Sequence, residues 1–581
     1  MIDFELLLKE ANKTENCVVL GSEVLKNLDY MFFKDGIVWK IQTEITFNSK
    51  CLDIIFFLNF PSDFPYRLPK IFIDKDCYQD LKYIPHINYD FSICIFDEGL
   101  NPIIPQNNLG EVVELIICRS KKIIREAENN DYKKSEFKRE FKAYWELNYS
   151  KNDIIQNSGF HAIPNQNKNE IKGIKFTNNL LSNYEYYIYN DEIELERIKK
   201  YSDDNNCKYK DVGILLIENK FEVPPFELSF SETLCIIKKD NNNYLKFKEL
   251  CRNNDFDSVL VIFTNENNST VEYYGWTYKN VQILSRKQGG NRKISSKIDH
   301  LLNRVNEKKS VTRLTFDNIN VDRLQIRTSS YVETQKSVAI SGLGSVGSNL
   351  IFFLKNLPID KFNLIDTDTL STENLKRYFS GFAYLQNNKV DVIKSELKNI
   401  NPLFNVDVRK KSVTSIIQNE PDFINQCDFH IVAIGKTMIE EFILKNLIEQ
   451  TLVKPTLIFW VEPFLASGQM LFIMPNDAKK ALELIKNYEF NVLSNVENQR
   501  DKTYLIEGSC QTGYFPYSSS YLIQFLSSIF SHLKEHITSS NNNSKIYTWI
   551  GDKDLLKKKE LIITEFAQKN NSYDLIINDI C

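Results

Sequence analysis

No stretch of this 581-residue chain approaches the ~18 consecutive apolar residues that would span a bilayer, so no membrane anchor is expected. The opening residues, Met1-Ile2-Asp3-Phe4-Glu5, lack a basic segment followed by an apolar core, so a signal peptide is not expected either. An excess of one charge is also missing. The chain has 72 Lys and Arg against 76 Asp and Glu, a net charge of −4, which speaks against a nucleic-acid-binding surface and against a disordered acidic tail. Eleven cysteines are scattered without close pairs and without a Cys-x-x-Cys spacing. That pattern disfavours a disulfide framework and predicts a reduced, cytoplasmic setting. The length predicts three or four domains. Asparagine runs such as Asn241-Asn242-Asn243 and Asn541-Asn542-Asn543 read as exposed loops.

One stretch organises the rest. The apolar run Ser337-Val338-Ala339-Ile340-Ser341 ends in Gly342-Leu343-Gly344-Ser345-Val346-Gly347, and a helical pattern follows from Asn349 to Leu357. A second apolar run, Phe362-Asn363-Leu364-Ile365, ends in Asp366. Strand, glycine turn, helix, strand and acid form the layout of a nucleotide-binding βαβ unit. Gly342 and Gly344 would let the backbone approach a phosphate, and Gly347 completes the motif. The amides opening the helix would meet that anion, and Asp366 would reach ribose hydroxyls. The competing reading is that the glycines only permit a tight turn and close helix–sheet packing.

After Asp366 the chain reads Thr367-Asp368-Thr369-Leu370-Ser371-Thr372-Glu373-Asn374-Leu375-Lys376-Arg377, with Lys389 twelve residues later. This resembles the adenylating domain of ubiquitin-activating enzymes and of their bacterial relatives in thiamin and molybdopterin synthesis. There the motif runs Asp-x-Asp, a short gap, Asn-Leu-x-Arg and a Lys. Adenylation brings a carboxylate to the α-phosphate of ATP, so fixed cations must offset two approaching anions. The resemblance implies ATP with magnesium: Asp366 on the ribose, Asp368 on the metal, and Asn374, Arg377 and Lys389 on the phosphates. Relatives carry Asp-Asn-x-x-x-Arg after a later strand, with the Asp on magnesium, whereas this chain has Gly435-Lys436-Thr437-Met438-Ile439-Glu440. Without Cys-x-x-Cys pairs the structural zinc of some relatives is not expected. Cys510, in Glu507-Gly508-Ser509-Cys510-Gln511-Thr512-Gly513 before a helical stretch, is the candidate thiol for capturing the acyl-adenylate. Arg327, upstream of the glycine motif, is a candidate for reaching a neighbouring subunit's ATP, as the family's dimers imply.

The N-terminal part has a pattern of its own. A helical stretch is expected to about residue 30, then strands at Ile37–Ile41 and Leu52–Leu58. Pro61, Pro65 and Pro69 force an extended, turn-rich path into the strand-like Lys70-Ile71-Phe72-Ile73. His86-Ile87-Asn88 and Ile93-Cys94-Ile95 follow, and residues 112–150 read as helical. This order resembles the core of ubiquitin-conjugating enzymes, with their Pro-x-x-Pro segment, His-Pro-Asn and Ile-Cys-Leu. The resemblance implies that Cys94 carries a thioester to a carrier's C-terminal carboxyl group, open to attack by an amine. Ile87 replaces the proline of His-Pro-Asn, so His86 reads as a turn-stabilising residue rather than a base.

Between these regions the runs Val212–Ile217, Leu234-Cys235-Ile236-Ile237 and Val259–Phe263 read as strands, with Thr270 to Thr277 as a return strand. The expected fold class is multidomain α/β. An α+β conjugating-like domain (1–152) is followed by an α/β or β-rich linker domain (153–315) and a Rossmann-like adenylating domain (316–581). This order resembles the fused activating–conjugating proteins of CBASS anti-phage operons. That resemblance implies a homodimer joining the C-terminus of a cGAS-like nucleotidyltransferase to an amine-bearing target. The alternatives are activation of a ubiquitin-like or sulfur-carrier protein, or a non-catalytic nucleotide-binding scaffold.

Overall fold

The computed structural model describes residues 3–580 except 27, 29, 31, 35, 82–83, 89, 96–107, 147–158, 165–169, 178–183, 226–227, 254–257, 268–269, 279–305, 488–489, 495, 507–512 and 540–542. The chain divides into two compact units, Met1–Asn190 with Cys207–Val321, and Asp191–Asn206 with Asp322–Cys581. Among the described residues no helix is long and apolar enough to cross a membrane.

The first unit begins with the helix Phe4–Ala11, whose first turn is capped by the Asp3 carboxylate. The expected continuous helical stretch to residue 30 breaks here. Asn12 exchanges side-chain hydrogen bonds with the N–H and C=O of Cys17, at 2.7 and 3.1 Å, ending the helix and starting a strand. That strand, β1 (Asn16–Val19), opens an antiparallel meander with β2 (Ile37–Phe47), β3 (Lys50–Phe60) and β4 (Lys70–Ile73). Asn48 and Ser49 both take positive φ, the geometry that matches a two-residue hairpin turn to strand twist. The helix Leu109–Glu126 lays Val112, Val113, Ile116 and Ile117 into the same core as Trp39, Ile41, Phe56 and Leu58.

A closed barrel forms the rest of this unit. It comprises β5 (Gly159–His161), β6 (Lys172–Phe176), β7 (Tyr186–Tyr189), β8 (Tyr209–Leu216), β9 (Val259–Asn267), β10 (Thr270–Thr277) and β11 (Thr312–Asn318). The order around the barrel is β10-β11-β5-β7-β6-β8-β9. The strand expected at Leu234–Ile237 is instead part of the helix Phe230–Lys238. Its Ser229 and Glu232 form a reciprocal capping box, which starts a helix where apolar content alone suggested a strand. The short helix Phe141–Glu146 places Phe141 and Trp145 in the barrel core beside Leu215 and Phe263, and the Trp145 indole N–H donates to the Leu314 carbonyl at 3.1 Å.

The second unit is built on β12 (Lys336–Ser341), β13 (Ile359–Ile365), β14 (Asn405–Arg409), β15 (Phe429–Val432), β16 (Thr456–Val461) and β17 (Ser467–Ile473). A short pair, β18 (Leu505–Ile506) and β19 (Gly513–Tyr514), precedes β20 (Lys545–Ile550) and β21 (Leu575–Asp579). The main sheet runs β14-β13-β12-β15-β16-β17-β20-β21, parallel through β16 and antiparallel beyond. Alternation along β12 sends Val338 and Ile340 to one face, and Ala339 to the other. The first face is covered by the helices Ser345–Leu354, Lys389–Ile400 and Ser519–Thr538, the second by Val413–Asn419, Thr437–Ile448 and Ala478–Asn487. The helix Glu192–Asp204 belongs to this unit, where Arg197 donates to the Leu403 carbonyl at 3.1 Å and Asp204 pairs with Lys394. This is a mixed α/β multidomain chain with an α+β N-terminal meander, a closed β-barrel and a Rossmann-like C-terminal sheet.

Candidate active site

The parallel strands place their C-terminal ends at the switch point where β12 lies between β13 and β15, the position at which open α/β sheets bind ligands. The three glycines there do different work. Gly342 has φ +92, and a Cβ on it would lie 2.6 Å from the Ala433 carbonyl oxygen. Gly347 is packed harder still, since its Cβ would lie 2.0 Å from the Gly342 carbonyl oxygen. Gly344 faces open space, with nothing within 4 Å of such a Cβ. The first and third glycines therefore close the turn, and the second leaves room over the start of the helix Ser345–Leu354. Gly347→Ala is expected to force the loop apart. It should cost about 1–3 kcal/mol of stability by overpacking and remove nucleotide binding, checked by thermal unfolding with and without ATP.

Asp366 closes the loop from the other side. Its Oδ2 accepts the Leu343 N–H at 2.6 Å and its Oδ1 the Asp368 N–H at 2.8 Å. Lys389 is buried, with 7% of its surface exposed, and its Nζ lies 3.0 Å from Asp368 Oδ2. Burial would raise the Asp368 pKa, but the hydrogen bond and charge of Lys389 outweigh it, with smaller help from Thr367 and Lys436, and hold the carboxyl below its usual range. The Asn374 side-chain oxygen caps Ser371, and the Asn374 carbonyl accepts the Arg377 N–H at 2.8 Å. The Arg377 carbonyl accepts from Ser345 Oγ and Asn349 Nδ2, both at 2.8 Å, which ties it to the first turn of the glycine helix. Its guanidinium lies 5.1 Å from the centre of the Tyr517 ring. Gly342, Gly344, Gly347, Asp366, Asp368, Asn374, Arg377 and Lys389 thus form one connected cluster. Behind it, His430 of β15 is a strand residue whose Nε2 meets Ser341 Oγ at 2.9 Å, and burial lowers its pKa to about 3, keeping the ring neutral.

The residues accommodate a nucleotide better than a protein-held magnesium. Asp366 has both oxygens engaged by backbone N–H groups, Asp368 is paired with Lys389, and Gly435-Lys436 stand where the resemblance places a second acid. Among the described residues, the His/Cys/Asp/Glu group compact enough to hold a metal ion lies elsewhere, at His86, Glu136 and Glu140.

Cys94 is exposed. Its N–H donates to the His86 carbonyl at 2.8 Å, and the bridge Ile87–Ile93 joins the two sides of the turn. Asn88 Nδ2 donates to Ser92 Oγ at 2.9 Å. His86 is held by Glu136 and Glu140, as its reading as a turn-stabilising residue anticipates, but through partners that sequence reasoning missed. The available signal was the Glu136-x-x-x-Glu140 spacing, which puts two carboxylates on one helical face. Cys510 lies outside the described residues. Arg327 is exposed on the helix Val321–Ser329.

Residues 320–541 match the ThiF family, and residues 31–153 match prokaryotic E2 family B. A search of curated proteins finds no match. Similar solved structures include PaaA, at 15% identity over 42% of this chain and 64% of that one, with a TM-score of 0.29. Escherichia coli MccB with ATP is 13% identical over 42% of this chain and 64% of that one, with a TM-score of 0.26. The chain spans about 64% of the length of the solved structures it matches. The chain thus carries a match to prokaryotic E2 family B in its N-terminal part and a match to the ThiF family in its C-terminal part.

Proposed function

We propose that this chain activates the C-terminal carboxylate of a carrier protein with ATP and conjugates it to an amine on a target. The observation that carries this reading is the open space at Gly344, over a helix N-terminus, in one cluster with Arg377 and Lys389. A carboxylate oxygen attacks the α-phosphorus of ATP, and pyrophosphate leaves. Arg377 and Lys389 offset the charge that gathers as the two anions meet. The Cys510 thiolate then attacks the acyl carbon and AMP leaves. The Cys94 thiolate takes the acyl group from Cys510. A target amine attacks the Cys94 thioester, losing a proton as the amide forms, and the thiol is regenerated.

The carrier is a cGAS-like nucleotidyltransferase, primed for anti-phage signalling, and the enzyme works as a cytoplasmic homodimer. The fusion of the two domain types in this order supports that reading. The test is exchange of labelled pyrophosphate into ATP. Exchange is expected with an intact cGAS-like nucleotidyltransferase and not with one lacking its last residues. Exchange only with a ubiquitin-like or sulfur-carrier protein would replace the carrier. No exchange with any of them, together with retained ATP binding, would make the chain a nucleotide-binding scaffold.

A further inference from the structure

We propose that Tyr517 is a positioning residue for Arg377: the face of its ring holds the guanidinium in place for the triphosphate and leaves the N–H groups of that cation free to donate. This rests on the reading of Arg377 as a cation that meets ATP.

The Arg377 backbone is fixed independently of its side chain. Its carbonyl accepts from Ser345 Oγ and Asn349 Nδ2, and its N–H donates to the Asn374 carbonyl. The side chain is held in another way. Its guanidinium carbon lies 5.1 Å from the centre of the Tyr517 ring. Among the described residues the guanidinium makes neither a hydrogen bond nor an ion pair. Lys389 in the same cluster is the contrast, since its Nζ is paired with Asp368 at 3.0 Å.

That difference matters to an incoming anion. A carboxylate beside a guanidinium takes its N–H donors and offsets its charge. An aromatic ring occupies only the flat face. The donors at the edge and the full charge then remain available to phosphate oxygens.

The ring is itself well anchored. Tyr517 is half-buried and packs against the core that contains Leu350, Leu522 and Phe525. On one side of it, the Pro516 carbonyl accepts the Phe464 N–H at 2.7 Å. On the other, Ser518 caps the helix Ser519–Thr538, and Ser519 Oγ donates to the Lys376 carbonyl at 2.5 Å. Ser519 lies just past Tyr517, and Lys376 just before Arg377. That hydrogen bond ties together the two stretches of backbone whose side chains stack, so the stacking does not depend on the side chains alone.

The competing account is that the ring only fills the edge of the core. The test is a double-mutant cycle on the full-length chain. It is read as kcat/KM for ATP in carrier-dependent pyrophosphate exchange and as the ATP dissociation constant, with thermal unfolding run alongside. Tyr517→Leu should lower kcat/KM by about tenfold, the size of a partly desolvated contact between a cation and a ring. Tyr517→Phe, which keeps the ring, should recover most of that loss. In Arg377→Ala protein, where the guanidinium is already gone, Tyr517→Leu should change kcat/KM by less than about twofold. Tyr517→Met takes the place of Tyr517→Leu if that variant unfolds. An equal loss in both backgrounds would make the ring a core filler and overturn the proposal. Tyr517→Phe as impaired as Tyr517→Leu would assign the effect to the hydroxyl and overturn it as well. Wild-type protein that binds ATP but exchanges no pyrophosphate with any carrier would overturn the conjugation reading alone. The cycle is then read on the dissociation constant, where a larger loss with Arg377 present supports the Tyr517 role and an equal loss overturns it.

Discussion

Cys510→Ala protein is expected to form acyl-adenylate but to load no thioester on either cysteine. Cys94→Ala protein is expected to accumulate thioester on Cys510 and to yield no amide. Each cysteine sits in a separate domain type, Cys94 within the prokaryotic E2 family B match and Cys510 within the ThiF match. The exposure of Cys94 suits a thiol that must meet another protein's thioester. Cys510 itself lies outside the described residues, and the strands flanking its segment pair Ile506 with Gly513. A thiolate must contact the acyl carbon to take it, so removing either sulfur stops the sequence at a different step rather than slowing every step. A non-reducing gel with labelled carrier distinguishes the two stages. If Cys510→Ala still loads Cys94 at the normal rate, the adenylate passes straight to Cys94.

Arg377→Ala should lower pyrophosphate exchange by about 10²–10³-fold, the range seen when a charge-stabilising donor is removed from an active site, while leaving the fold intact. The Arg377 hydrogen bonds to Asn374, Ser345 and Asn349 use its backbone N–H and C=O, which alanine keeps. What alanine removes is the guanidinium beside Tyr517. Arg377→Lys should recover part of the rate, because it restores the charge without the planar fork. An unchanged melting temperature with near wild-type exchange in Arg377→Ala would remove Arg377 from the site.

The glycine-turn cluster of the C-terminal unit could be read from the sequence because its residues are close together along the chain. Glycine turn, Asp366, Asp368, Asn374, Arg377 and Lys389 lie within 48 residues; periodicity ordered the strands, turn and helix, and the resemblance to adenylating domains picked out the residues after Asp366. The run Leu234–Ile237 was not legible from its apolar residues. Four apolar or near-apolar positions suit strand and helix equally, and the decision came from the Ser229–Glu232 cap just upstream. The break at Asn12 was missed for a similar reason, since a side chain satisfying the backbone five residues on leaves the hydropathy pattern unchanged.

By itself, then, the sequence determined the order of the two family-matched regions and pointed to the glycine loop, the cations beside it and the candidate thiols, because each is written in residues close together along the chain. Only the tertiary structure decided which strands close the barrel, with β5 pairing β7 and β11 across long separations. It also decided that Asp368 is already neutralised by Lys389, and that His86 is gripped by acids fifty residues downstream. Those outcomes depend on charges and strands brought together by chain reversal, and pattern along one dimension does not record which distant groups meet.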